Sequence, residues 1–305
     1  MLCRSCGIVN LLAEKRDADT KAIEELRQQA KTEPPLLAQI TLAQVEQLEA
    51  QVAVEKALKK GLTQARKSLR NQIKRDLDAG IPADNWLLMS RDELINYILN
   101  GGMGEVVDGF LDATNTVYDL TLKQLTLEGL ELDPATLALD RERLNAQLVG
   151  AVFDDVILPD ISQRIRSTLS AIDADVSISQ TVDLLFQRFQ AAEGRALTEA
   201  RTATAQWGRS LTAQAAEEAG INNYLYVGPR DGITRAFCEE LVDLVVSSKQ
   251  MRKLNNGQGL SVKISGGGYN CRHSWAPVTE SFIEVADLER ATEADITAAN
   301  RAAKE

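Results

Sequence analysis

Between Pro34-Pro35 and the break at Ala79-Gly80-Ile81-Pro82 the sequence carries one sustained helical periodicity, and no other feature limits the fold as tightly. Neither proline can donate to a helix ladder, so the charged, helix-favouring run from 11 to 31 stops there and a new element begins. Thr41 and Gln44 have the T-x-x-Q spacing of a capping box, which predicts a long helix from Thr41 to Asp78. At 100° per residue, Leu58, Leu62, Ala65, Leu69 and Ile73 share one face. Lys56, Lys59, Lys60, Arg66, Lys67, Arg70 and Lys74 fall within about a third of a turn on the other. No acidic residue occurs from 56 to 75. Such a face suits solvent, and equally suits DNA phosphates or an acidic partner protein.

A chain of 305 residues has room for about two domains. With 44% hydrophobic, 26% charged and only 5% aromatic residues, helix should dominate. The net charge of −10 argues against coating nucleic acid by bulk charge, although a local basic face remains open. The acidic excess is concentrated between 81 and 200. His273 is the single histidine, which excludes the H-E-x-x-H zinc helix and every site needing two imidazoles. Four cysteines, Cys3, Cys6, Cys238 and Cys271, are too sparse for a secreted disulfide scaffold, so a reducing compartment is expected. The apolar stretch from Ile8 to Ala13 is too short for a membrane span and runs straight into charge, which predicts a cytoplasmic chain without membrane association.

Ser90 and Glu93 supply a second capping box for a short helix through Leu99, and the glycines at 101, 102 and 104 read as a flexible joint between helices. Residues 105–200 continue as helices broken near Gly129, at Asp133-Pro134 and at Leu158-Pro159-Asp160. Asp154, Asp155 and Asp160 read as solvated carboxylates rather than a metal cluster. A helical pattern from Val182 to Ala219 is interrupted at Gly194 and ends at Gly220. The character then changes: Asn223–Val227 is a predicted strand, 228–232 a turn, Thr234–Val246 a helix and Leu260–Ile264 a second strand. The expected fold class is mainly α, with long helical N-terminal two thirds followed by a small α+β module with short strands. The expected division is an N-terminal segment 1–35, a helical domain 36–193, the module 194–280 and an exposed helix or tail 281–305.

Several segments of the module occur in a telling order. Ala200-Arg-Thr-Ala-Thr runs to Gly208 and then to Glu218-Ala-Gly-Ile221, followed by the aromatic strand Tyr224-Leu-Tyr226. Gly228-Pro-Arg-Asp-Gly-Ile-Thr-Arg-Ala-Phe-Cys238 comes next, then Asn256-Gly-Gln-Gly259, Gly267-Gly-Tyr-Asn-Cys-Arg-His273 and Trp275-Ala-Pro-Val278. Over roughly the last third of the chain this set resembles the MuF-like head-morphogenesis family of phage minor head proteins. The resemblance implies a virion structural protein, not an enzyme, made in the host cytoplasm. Its expected place is at low copy number at the portal vertex, aiding head assembly or DNA packaging and ejection. Portal and capsid proteins would be its partners, with packaged DNA as a further contact, and no membrane.

Many members of that family carry a C-x-x-C followed by a His and further metal-type ligands around an N-C-R core. Here Arg235 stands at the first cysteine position and Gly268 at an upstream histidine position, leaving Cys238, Cys271 and His273. A closed structural zinc site wants four donors, and Asp231, Cys3 or Cys6 are the candidates for the rest. Cys3-x-x-Cys6 by itself is a weak signal. The alternative is a folding lock in which Cys238 and Cys271 face each other as buried apolar contacts or a disulfide and His273 bonds a backbone carbonyl. Asp231 and Thr234 read as caps for the following helix. Arg272 is expected to pair with Asp231, Glu239 or Asp243, and Arg235, Asn270 and Trp275 complete the structural motif. Two rival functions use the same residues differently. One is a metal-dependent hydrolase or cysteine-nucleophile enzyme built on Cys238, Cys271 and His273. The other is a DNA-binding adaptor working through the basic face 56–74.

Overall fold

Proline at a first helical position loses nothing, because the N–H it lacks would have no partner there. The computed structural model, which describes residues 18–82, 84–127, 133–170 and 190–304, shows that this decides where the long helix starts. Helix α1 covers residues 18–30, and α2 runs from Pro35–Asp78, with the Ala38 N–H reaching the Pro34 carbonyl at 2.9 Å. Thr41 and Gln44 therefore sit inside α2, buried, and cap nothing. This corrects the expected start at Thr41: the upstream proline supplies the first turn and the T-x-x-Q spacing becomes incidental. The end at Asp78 is as expected, with Gly80 at φ 84 and the Ile81 N–H returning to the Asp76 carbonyl. Leu58, Leu62, Ala65, Leu69 and Ile73 are all buried.

Helix α3 (Asp84–Leu88) leads to α4 (Arg91–Ile98), whose capping box forms as the sequence predicts. The Ser90 hydroxyl accepts the Glu93 N–H at 3.2 Å and the Glu93 carboxylate accepts the Ser90 N–H at 2.7 Å. The glycine joint is a widened turn over Leu99–Met103 that opens into α5 (Gly104–Leu127). Helix α6 (Pro134–Val149) again starts on a proline. The break expected near Gly129 lies outside the described residues. The one expected at Leu158-Pro159 is absent. Gly150–Ile157 is wound as a π-helix and passes directly into α7 (Leu158–Leu169), with the Leu158 N–H bonded to the Phe153 carbonyl. A proline ring clashes with the carbonyl four residues before it, and the wider winding lets the helix carry Pro159 without stopping. Helix α8 (Gln190–Glu218) runs through Gly194, which corrects the interruption expected there. It closes with Gly220 at φ 70 and the Ile221 N–H on the Ala216 carbonyl. Residues 182–189 of that pattern lie outside the described residues.

The remainder is the small α+β module, so the chain is mainly α with one three-stranded antiparallel sheet. Strand β1 (Asn223–Val227) is central, flanked by β2 (Val245–Ser247) and β3 (Ser274–Val278) in the order β2-β1-β3. Tyr224 stands opposite Val246 and Tyr226 opposite Trp275. Between the strands lie single turns: α9 (Ala236–Glu239), α10 (Ser248–Met251) and α11 (Val262–Ser265). Two sequence expectations are corrected here. The helix expected over Thr234–Val246 is one turn long, because Asp243 takes φ 67 and Val245-Val246 go to the sheet. The strand expected over Leu260–Ile264 is a helical turn closed by the Ser265 N–H on the Ser261 carbonyl at 2.7 Å.

Strand alternation gives the sheet two apolar faces. Tyr224, Tyr226, Val246 and Trp275 meet Phe237, Cys238, Leu241 and Met251 on one side. Leu225, Val227, Val245, Ala276 and Val278 meet Ile40 and Ile283 on the other. The residues after 280 are not an exposed tail: α12 (Glu280–Val285) supplies Ile283, and α13 (Glu293–Ala302) buries Ile296 and Ala299 in the Tyr226 core. The described residues divide into two compact units. One draws on Ala53–Ala113 and Asn145–Ala200, the other on Ala13–Val52, Thr114–Leu144 and Arg201–Glu305. Among the described residues no helix is long and apolar enough to cross a membrane.

Candidate functional site

The register of the sheet places Tyr226 over the point where the loop before β3 returns, and that loop carries the chemistry. Cys271 and His273 come from it and Cys238 from α9, and their ligating atoms lie within 4.8 Å of one another. The three residues singled out from sequence are therefore brought together. The two sulfurs are 3.9 Å apart, and Cys271 Sγ is 3.7 Å from His273 Nδ1. Tyr226 Oη lies 3.4 Å from Cys238 Sγ and 3.5 Å from Cys271 Sγ, with its ring stacked on the imidazole. All four side chains are 5% exposed or less.

A hydrogen bond orients the imidazole. His273 Nε2 is 2.9 Å from the Pro229 carbonyl, which can only accept, so Nε2 carries a proton, and Nδ1 faces Cys271. The two thiols differ. Burial and the hydrogen bond to Cys271 push Cys238 up, with the hydrogen bond the larger cause. Cys271 is held well below its ordinary value, chiefly by the hydrogen bond from Cys238. Burial opposes this, and His273 and Arg209 add to it. The Gly267 N–H also donates to Cys271 Sγ, at 3.2 Å. Burial keeps the Tyr226 phenol protonated and thus a donor to sulfur. Two glycines make the enclosure tight. A Cβ on Gly228 would come within 2.4 Å of His273 Cδ2, and one on Gly267 within 2.3 Å of Cys238 Sγ.

A tetrahedral zinc ion with Zn–S bonds of about 2.3 Å requires sulfurs roughly 3.8 Å apart and a somewhat shorter sulfur–nitrogen edge. The observed 3.9 and 3.7 Å match two edges of that tetrahedron, and the third, between Cys238 and His273, lies within 4.8 Å. Zinc-binding histidines likewise donate one ring N–H to a backbone carbonyl or carboxylate. Tyr226 Oη, not Asp231, is the oxygen beside both sulfurs. Asp231, expected as an extra ligand, is corrected: Arg272 holds both of its oxygens at 2.5 and 2.6 Å. Cys3 and Cys6 lie outside the described residues.

The rest of the motif braces this loop. Arg272 chooses Asp231 from the three carboxylates the sequence offered. Asp231 and Thr234 close the turn before α9 instead of capping it. The Thr234 hydroxyl donates to the Pro229 carbonyl at 2.8 Å, the Ile233 N–H bonds Asp231, and the cap position falls to Arg235, whose side chain makes no cap bond. Arg235 instead bonds the Tyr269 carbonyl at 2.6 Å. Asn270 takes φ 55, and its N–H reaches the Thr202 hydroxyl. Trp275 packs on Tyr226 and donates its indole N–H to the Val262 carbonyl at 3.0 Å.

Three residues that sequence reasoning passed over complete the brace. Arg209, buried on α8, donates to the carbonyls of Cys271 and His273 at 2.7 and 2.6 Å. The Gln44 amide on α2 donates to the Arg272 carbonyl at 2.8 Å. Tyr226 is the third. A signal for Arg209 exists in its spacing: Thr202, Ala205, Arg209, Thr212 and Ala216 form a buried stripe at helical intervals.

Lys56, Lys60, Lys67, Arg70 and Lys74 are exposed, and Lys59 and Arg66 are half-buried. The carboxylates of Asp154 and Asp155 are exposed, and Asp160 pairs with Arg164 one helical turn on.

Fold and site together define a mainly α protein whose small α+β module encloses a buried Cys-Cys-His-Tyr cluster. No protein family, curated protein or solved structure matches the chain.

Proposed function

We propose that this chain is a bacteriophage minor head protein, a structural component that associates with the portal or capsid and serves head assembly or DNA packaging and ejection. One observation supports the reading above the others. The separate segments that carry the family resemblance, at 224–226, 228–238, 267–273 and 275–278, fold around one cluster of side chains. There they have the part of a lock: Cys238, Cys271, His273 and Tyr226 tie a helical turn, a loop and a strand at one point. The burial of all four favours this structural use over the hydrolase or cysteine-nucleophile alternative, because a nucleophile or metal-bound water must meet its substrate.

Quantitative mass spectrometry of purified phage particles tests it. The chain is expected at a reproducible low ratio to the portal protein. Its absence from particles, with abundance in the infected cell, would overturn the reading.

A further inference from the structure

We propose that the lysine-lined face of α2 docks the sugar-phosphate backbone of double-stranded DNA without sequence preference. The inference rests on the charge and geometry of this face and does not depend on the virion reading. At 100° per residue, Lys56, Lys60, Lys67 and Lys74 fall within an arc of about 40°. At 1.5 Å per residue they form a straight line about 27 Å long. Lys59, Arg66 and Arg70 flank the line on one side. Among the described residues, the ammonium groups of Lys56, Lys59, Lys60, Lys67 and Lys74 make no ion pair or hydrogen bond. The nearest carboxylates on the same helix are turned away from the line: Glu55 is buried, and Asp76 accepts the Tyr97 hydroxyl at 2.6 Å. In a chain of net charge −10, acidic groups are abundant, yet among the described residues none pairs with these lysines.

What the face lacks identifies its partner. The exposed large apolar residues among the described ones are Leu36, Leu42, Ile81, Leu88, Ile233, Tyr269 and Val285, so none lies within the stretch from 56 to 74. A protein partner would need apolar or aromatic anchors at the centre of the contact, which this surface does not offer. Single-stranded nucleic acid is held by bases stacked on aromatic side chains, and no aromatic residue occurs from 56 to 74. A DNA duplex needs neither. It is a stiff rod, straight over such a length, that presents one negative charge per ~1.7 Å of axis. Lysine is a flexible, strongly hydrated point charge, suited to phosphates without bidentate base reading.

The test is fluorescence anisotropy of the full chain with short labelled duplexes of unrelated sequence, repeated across a salt series. Equal affinity for the duplexes is expected, with log K falling linearly against log salt. In the triple variant Lys60→Glu, Lys67→Glu, Lys74→Glu, affinity at low salt is expected to fall at least ~10-fold and the salt slope to shrink by about 3. The milder triple variant Lys60→Gln, Lys67→Gln, Lys74→Gln keeps the test valid if charge reversal disturbs the helix, which circular dichroism reports. Lys249→Glu with Lys304→Glu, on other surfaces, should bind as the unaltered chain does. No duplex binding at low salt, or an unchanged slope in both triple variants, overturns the proposal. So does tighter binding of single strands, duplex RNA or polyglutamate than of duplex DNA, the last assigning the face to an acidic protein.

Discussion

Asp231 and Arg272 face each other with each side chain less than a tenth exposed, and the loop that carries Cys271 and His273 hangs on the pair. Burial by itself would raise the Asp231 pKa, but the Arg272 hydrogen bond and charge, with the Thr234 hydroxyl and the Ile233 N–H, outweigh it and bring it down. A carboxyl lowered in the folded state contributes stability above its unfolded value of about 3.9, and that contribution disappears as pH falls through the lower folded value. Asp231→Asn leaves a buried guanidinium uncompensated, which typically costs about 3–5 kcal/mol. Urea unfolding at neutral pH is expected to show a loss of that order, and the difference between variant and parent should narrow as the pH drops below 4. At this scale the sequence spoke clearly where residue type limits chemistry. A lone histidine and two distant cysteines have few uses, and they meet. Arg209 and Tyr226 stayed hidden because arginine on an alanine-rich helix reads as solvent-facing and tyrosine on a strand reads as core. Only the register opposite Trp275 puts that hydroxyl between two sulfurs.

Between α4 and α5 the chain turns on Gly102, whose φ of 108 is closed to ordinary side chains and whose added Cβ would lie 3.1 Å from Ser68 Cβ on α2. Gly102→Ala combines an unfavourable backbone with a tight contact and is expected to destabilise by about 1–3 kcal/mol, read from the denaturant midpoint. A midpoint within error of the parent would show that α2 yields at this point. Element boundaries were readable where a backbone rule acts locally. Ser90 with Glu93 capped α4, and Gly80 and Gly220 ended their helices. They were not readable where a distant partner decides. Val245–Ser247 is too short to announce a strand and exists because β1 pairs with it, while β3 holds Pro277 at a sheet edge, where a missing N–H is tolerated. Val262–Ser265 alternates like a strand and winds as a turn instead. Its Val262 carbonyl then receives the Trp275 indole.

Neither compact unit is a continuous stretch of chain. Composition shifts sharply near 220, and that shift marks a change of secondary structure, not the edge of a domain. Ile40, near the start of α2, shares a core with Leu225, Val245 and Val278, and Gln44 reaches the Arg272 carbonyl. A fragment spanning 194–305 therefore keeps all three strands but loses the part of the cover that Leu37 and Ile40 give to one face of the sheet. It is expected to give poorly dispersed amide NMR signals beside the full chain. A well-dispersed spectrum from the fragment would show that the early helix is dispensable to the module.

The same arrangement matters during synthesis. At about 5–20 residues per second, a ribosome takes roughly 10–45 s to travel from the first part of α2 to the end of β3. For that interval the apolar and amide groups around Ile40 and Gln44 have no strand to receive them. Chaperone capture of the nascent chain, or premature association between neighbouring chains on one polysome, would compete with folding over that window, and slower translation through 53–222 would lengthen it.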